Sequence, residues 1–167
     1  ILNLQGDALL TPHWFIEETI KEFMASDCEV VTPIMKCDKM IFKNLKKNFK
    51  NGVTGGTTVV TNYLNKAMYF SKSLIPYLNN YEIDDIKNLN VFFHVGLYCY
   101  SQNIILKYPD LKVSFFEKAE GLEQLRFLYN DISISCVKVD SKNFDIWELN
   151  NKSDIPIIEK ILKNKGI

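Results

Sequence analysis

Ile1-Leu2-Asn3-Leu4-Gln5-Gly6-Asp7 opens the chain as a short apolar run that stops at a glycine and a carboxylate. Read as a strand, it delivers Asp7 just past its carboxyl end, the place where open α/β sheets collect ligands. Working outward, Thr11 and Pro12 provide an N-cap and first-turn pair, and Ile16, Ile20, Phe23 and Met24 then recur on one helical face. Residues 29–34 read as the next strand. A strand–helix–strand unit of this kind favours parallel pairing. The expected architecture is therefore α/β with a mixed, mainly parallel sheet. The chain has no initiator methionine and begins on a strand, so it is expected to be the C-terminal part of a longer protein, with residues 1–167 forming one domain.

Further along, residues 36–52 are rich in Lys and Asn and anchored by Met40, Phe42, Leu45 and Phe49, which suits a short helix with loops. Two strand-like runs, 57–61 and 67–70, flank a turn-forming segment and read as a hairpin. Gly55-Gly56 before them permits unusual backbone geometry. Ile83 and Ile86 hint at a short helix in the polar stretch 77–90. Residues 91–100 form the strongest strand of the chain, dense in aromatic and β-branched side chains. Ser114 and Glu117 have capping-box spacing before a helix bearing Leu122, Leu125 and Leu128. Residues 132–139 alternate as a strand, and Ser153 is placed to cap a last helix through Ile158, Ile161 and Leu162.

Composition narrows the function classes. Twenty basic residues balance twenty acidic ones, so no overall field recruits nucleic acid or an anionic membrane. The lysines at 43, 46, 47 and 50 fit a solvated helix face. Cys28, Cys37, Cys99 and Cys136 make no C-x-x-C pair and sit in or beside apolar runs, as buried free thiols do in a reducing compartment. No stretch approaches the ~20 apolar residues that span a bilayer.

The residues that carry chemistry each leave two readings open. Asp7 suits a hard cation such as Mg²⁺, which takes oxygen ligands and often only one or two protein carboxylates; it equally suits a turn before Thr11. His94 lies within the apolar strand, either as a hydrogen-bonded core residue or on a pocket face shared with Tyr98, with Gly96 leaving room beside it. Glu123 and Gln124 can meet sugar hydroxyls or solvent. Lys72, after the second hairpin strand, can neutralise a substrate carboxylate or stand exposed.

Five segments, in order, resemble the CMP-Kdo synthetases, the 3-deoxy-manno-octulosonate cytidylyltransferases. They are Asn3-Leu4-Gln5-Gly6-Asp7, the run from Ala67 through Lys72 to Pro76, His94-Val95-Gly96-Leu97-Tyr98-Cys99-Tyr100, Leu122-Glu123-Gln124-Leu125-Arg126, and Glu148-Leu149-Asn150-Asn151-Lys152-Ser153-Asp154. The resemblance implies the C-terminal two-thirds of a Rossmann-like nucleotidyltransferase fold, with the nucleotide-binding loop upstream of Ile1. It implies a Mg²⁺-dependent enzyme that transfers CMP from CTP to the anomeric hydroxyl of Kdo or a related 2-keto-3-deoxy sugar acid and releases pyrophosphate. Such an enzyme serves lipopolysaccharide or surface polysaccharide synthesis in the cytoplasm. It assigns Mg²⁺ to Asp7 and to the position of Asn150, and the sugar acid to Gln5, Lys72, His94, Tyr98, Glu123 and Gln124. It also implies a homodimer through residues 71–86, where Tyr77 and Tyr81 are interface aromatics. The chain departs from the family at four places. Ala8-Leu9 replaces Glu-Pro, Lys72 and Phe93 replace arginines, and Asn150 replaces the second metal-binding Asp. A neutral amide at Asn150 keeps a second reading in view, a non-catalytic homologue that binds nucleotide or sugar.

Overall fold

The computed structural model describes residues 1–53, 56–78, 90–142, 144, 146–149, 151–164 and 166, with only the backbone of Met40 and Ser153. The expectations placed on Gly55, Tyr81, Ile83, Ile86 and Asn150 lie outside these residues.

Seven strands form one sheet: β1 (Leu2–Leu4), β2 (Val30–Lys36), β3 (Thr58–Thr61), β4 (Ala67–Ser71), β5 (Phe92–His94), β6 (Leu97–Tyr100) and β7 (Ile134–Val139). The expected mainly parallel sheet is corrected here. Among the described residues only β2 and β7 pair in parallel, from Val30 opposite Ile134 to Met35 opposite Val139, and every other pairing is antiparallel. The helix α1 (His13–Ala25) does carry the chain from β1 back to a strand of the same direction. The two strands are not neighbours, however. β6 lies between them, pairing Leu2 with Cys99 on one side and Val31 with Cys99 on the other. A crossover sets the relative direction of two strands and leaves open which strand is inserted between them.

The aromatic run 91–100 is one line of backbone broken in two. β5 and β6 both pair with β2, but Leu97 N–H turns back to the carbonyl of Val95 at 2.7 Å and interrupts the ladder at Val95-Gly96. Alternation survives the break. Phe92 and Tyr98 point into one core, with Ile104, Leu125 and Phe127, while Phe93, Val95 and Leu97 point into the other, with Phe15, Phe42 and Leu45. α1 and α2 (Lys39–Lys50) cover the second face; α3 (Gln102–Lys107) and α5 (Gln124–Tyr129) cover the first, and α4 (Phe115–Glu120) meets β4 where Phe116 stands edge-on to Tyr69.

Local signals explain three helix starts. Asp38, Ser101 and Ser114 each accept a hydrogen bond from a backbone N–H three residues on, at 2.7, 3.1 and 3.0 Å, satisfying donors that a helix start leaves unpaired. α5 has no such bond at Glu123, and neither has α1. Pro12 occupies its cap position without a side-chain bond, and the Thr11 hydroxyl instead donates to Ala8 O at 2.8 Å. Its buried face is Phe15 and Thr19, not the expected stripe, since Ile20 and Met24 are exposed. The hairpin β3–β4 is as expected: Asn62 Oδ1 accepts from the N–H groups of Leu64 and Lys66, and Asn65 takes a left-handed turn conformation at φ 57°. After a 3₁₀ turn at Lys152–Asp154, α6 (Ile155–Asn164) buries Ile158 and Ile161 against Leu10.

Candidate active site

The break at Val95-Gly96 separates the places where two neighbouring strands attach. Gln5, just past β1, donates its N–H to Gly96 O at 2.9 Å, and Thr57, just before β3, accepts from His94 N–H at 2.9 Å. Between those attachments the sheet opens into a cleft of about 700 Å³. Gln5, Asp7, Lys72, His94, Tyr98, Glu123 and Gln124 all line it, together with Glu148 and Asn151. These are seven of the eight residues singled out in the sequence; the eighth, Asn150, lies outside the described residues.

The loop after β1 is held to the C-terminal segment, where Leu149 N–H donates to Asp7 O at 3.0 Å. Asp7 is part-buried, and its Oδ1 is enclosed with no hydrogen-bond partner among the described residues. A buried carboxylate oxygen left unpaired is costly, and a bound cation removes that cost. Among the described residues no three His, Cys, Asp or Glu side chains gather into a ligand cluster.

Gly96 shapes the floor. A Cβ there would collide with Gln5 Oε1 and stand 3.2 Å from Gln5 Cδ, so the glycine is the space in which the Gln5 side chain lies. Its N–H donates to Glu148 Oε1 at 3.0 Å, bringing a second carboxylate to the cleft.

His94 is 5 % exposed, its ring edge-on to Phe70 at 5.3 Å and tilted against Tyr98 at 5.3 Å. Burial lowers its pKa to about 3, so the imidazole is neutral at ordinary pH. Tyr98 is 2 % exposed, and burial, reinforced by Tyr100, raises its pKa well above the ordinary value and keeps the phenol protonated. Burial likewise raises the Cys37 and Cys136 thiols to about 12, and all four cysteines are free.

The opposite wall comes from the chain after β4 and the turn between α4 and α5. Glu120 binds the first of these: its Oε1 accepts from Ser71 Oγ at 2.7 Å and its Oε2 from Lys72 N–H at 2.9 Å. Lys72 extends over Gly121, whose φ of 61° caps α4, so that a Cβ at Gly121 would stand 2.9 Å from Nζ. The Glu117 carboxylate grips the Arg126 guanidinium with both oxygens, and Arg126 also lies over the Tyr108 ring at 4.3 Å. That pair closes the turn from both ends and presents Glu123, exposed, beside Gln124, 7 % exposed. Glu120, Glu117, Arg126 and Thr32 carry no mark of this in the sequence beyond the spacing of Ser114 and Glu117. Their partners are distant or on another element.

The chain thus carries one cleft where the sheet opens, with an enclosed carboxylate oxygen and polar walls. A solved structure of CMP:2-keto-3-deoxy-manno-octonic acid synthetase complexed with CTP has this fold, with a TM-score of 0.77 over 98% of this chain and 61% of that one at 23% identity. The chain belongs to the cytidylyltransferase family, whose model matches residues 1–134. It is similar to the 3-deoxy-manno-octulosonate cytidylyltransferase of Maricaulis maris (strain MCS10), at 32% identity over 99% of this chain and 63% of that protein. The enzyme of the same name from Rickettsia typhi (strain ATCC VR-144 / Wilmington) is 32% identical over 84% of this chain and 51% of its own length. The chain thus spans roughly half to three-fifths of the length of these relatives. Among the described residues no helix is long and apolar enough to cross a membrane.

Proposed function

We propose that the cleft is the sugar-acid side of a cytidylyltransferase that transfers CMP from CTP to the anomeric hydroxyl of Kdo or a related 2-keto-3-deoxy sugar acid. The observation that carries this is the convergence on one cleft of Gln5, Asp7, Lys72, His94, Tyr98, Glu123 and Gln124 around the broken strand. In the reaction the anomeric oxygen bonds to the α-phosphorus of CTP as pyrophosphate leaves. No covalent protein intermediate is needed, so the protein's task is to position and to balance charge. Lys72, the one lysine or arginine among the described lining residues, meets the sugar carboxylate. Gln5 and Gln124 offer amide donors and acceptors to the hydroxyls, Tyr98 a phenol, and Glu123 an acceptor.

Asp7, Glu123 and Glu148 give the cleft more negative than positive charge, which opposes two anionic substrates unless a cation enters with them. Asp7, with Glu148 beside the same floor, would hold Mg²⁺, which when bound supplies positive charge to the phosphates of CTP. The same reading includes action in the cytoplasm, a role in surface polysaccharide synthesis, and a homodimer built on the segment after β4, where Tyr77 is exposed.

The test is pyrophosphate release by the intact protein with CTP, Mg²⁺ and a panel of 2-keto sugar acids. Release with at least one is expected. CTP binding without release for any of them would refute catalysis and favour the non-catalytic homologue.

A further inference from the structure

Thr32 sits at the centre of β2, fully buried, opposite the broken strand. Its Oγ1 is 3.0 Å from His94 Nε2 and 2.8 Å from Leu97 O. A hydroxyl has one proton to give, and a carbonyl can only accept. The short contact to Leu97 O therefore takes the Thr32 proton, and the contact to His94 requires that Nε2 carry the hydrogen and donate it. The other ring nitrogen, Nδ1, makes no hydrogen bond among the described residues. His94 lines the cleft, and Nδ1 is the ring nitrogen that the Thr32 contact leaves available to it. Phe70 and Tyr98 both pack on the ring with centroids at 5.3 Å, so turning it over to exchange the nitrogens works against both contacts.

We infer that Thr32 is a positioning residue that locks His94 in the Nε2–H form, so that Nδ1 meets the substrate as a hydrogen-bond acceptor and selects a sugar hydroxyl at that point. A bare acceptor repels a carboxylate, which leaves the carboxylate to Lys72 across the cleft. The same hydroxyl ties together the two flanks of the break, since His94 precedes Val95-Gly96 and Leu97 follows it. This inference rests on the sugar-pocket reading above and deepens it.

The lock can be read without substrate. In the intact protein labelled with ¹⁵N at histidine, the His94 signals are assigned by their loss in His94→Gln. At neutral pH Nε2 should resonate as protonated and Nδ1 as bare. Thr32→Val replaces the hydroxyl by a methyl of nearly the same size. It should give a mixture of the two forms and raise KM for the sugar acid about three- to tenfold, the worth of one ordinary hydrogen bond. KM for CTP should stay unchanged, and Thr32→Ser should restore both the single form and the parent KM. A protonated Nδ1 in the parent protein overturns the lock, and that measurement decides even if Thr32→Val fails to fold. Changed ¹⁵N signals with an unchanged sugar-acid KM overturn the acceptor role. A locked Nε2–H ring in a protein that turns over no 2-keto sugar acid upholds the lock and overturns the sugar-pocket reading.

Discussion

Replacing Gly96 with alanine adds one methyl at the point where the Gln5 side chain crosses the broken strand. The backbone at Gly96 is in an ordinary region, so alanine meets no conformational barrier, and less freedom in the unfolded chain stabilises by about 0.4–1 kcal/mol. Against that stands the collision with Gln5 Oε1, with Cδ at 3.2 Å and Cβ at 3.3 Å from the new methyl. Overpacking of this kind costs about 1–3 kcal/mol. Gln5 borders an open cleft and can swing away, which keeps the cost near the lower end. The net stability loss should then be about 1 kcal/mol or less. Function should suffer far more. A displacement of about 1 Å in a positioning group costs on the order of 10²-fold in rate, so kcat/KM for the sugar acid should fall by roughly that factor. Pyrophosphate release measures the second effect and urea midpoints the first. The decisive comparison is Gly96→Ala in a Gln5→Ala background, where the obstacle is gone and the methyl should cost little further activity. Equal losses in both backgrounds, additive within about 0.5 kcal/mol, would show that the methyl does not act through Gln5 and refute the reasoning.

Three other outcomes follow from the same geometry. Asp7→Asn should lower kcat by at least about a hundredfold, as removal of a key electrostatic group does, while its urea midpoint holds or rises because an unpaired buried charge is gone; parental turnover would remove Asp7 from the mechanism. Arg126→Met should cost about 3 kcal/mol of stability, since Glu117, with its side chain 10% exposed, is left without its partner; a loss below about 1 kcal/mol would assign the pair the weight of an ordinary surface bridge. His94 is neutral when folded down to about pH 3 but takes a proton near pH 6.5 when unfolded. The unfolded state therefore binds more protons between those values, and stability falls as pH drops through them, with a slope of up to about 1.4 kcal/mol per pH unit from this residue. His94→Gln should flatten the urea midpoint against pH in that window, and an identical slope would show that His94 titrates alike in both states.

Much of the site was legible because its residues lie in short, ordered segments. Each segment names a candidate, and five in succession identify the family. The sequence left open whether Lys72 or Glu123 would face a cleft or solvent, because exposure depends on what packs opposite. Glu120 reads as an ordinary helix-surface acid until β4 is laid beside α4 and Ser71 and Lys72 meet its carboxylate. The misread face of α1 has the same origin. Apolar spacing marked Ile20 and Met24, but β2, β6 and β7 lie on the side of Phe15 and Thr19.

By itself, then, the chain determined what neighbours along it can settle: the serine and aspartate caps, the Asn62 turn, the alternation of residues 91–100 and the apolar run that delivers Asp7. The tertiary structure decided what depends on distant partners. It inserted β6 between β1 and β2, antiparallel to both, because strand order is chosen by which buried faces complement each other, and no local periodicity encodes it. It also broke the strongest strand at Val95-Gly96. Gln5, Thr32, Thr57 and Glu148, from four remote segments, bond to the residues at and around that break, and Gln5, Thr57 and Glu148 line the cleft that opens there.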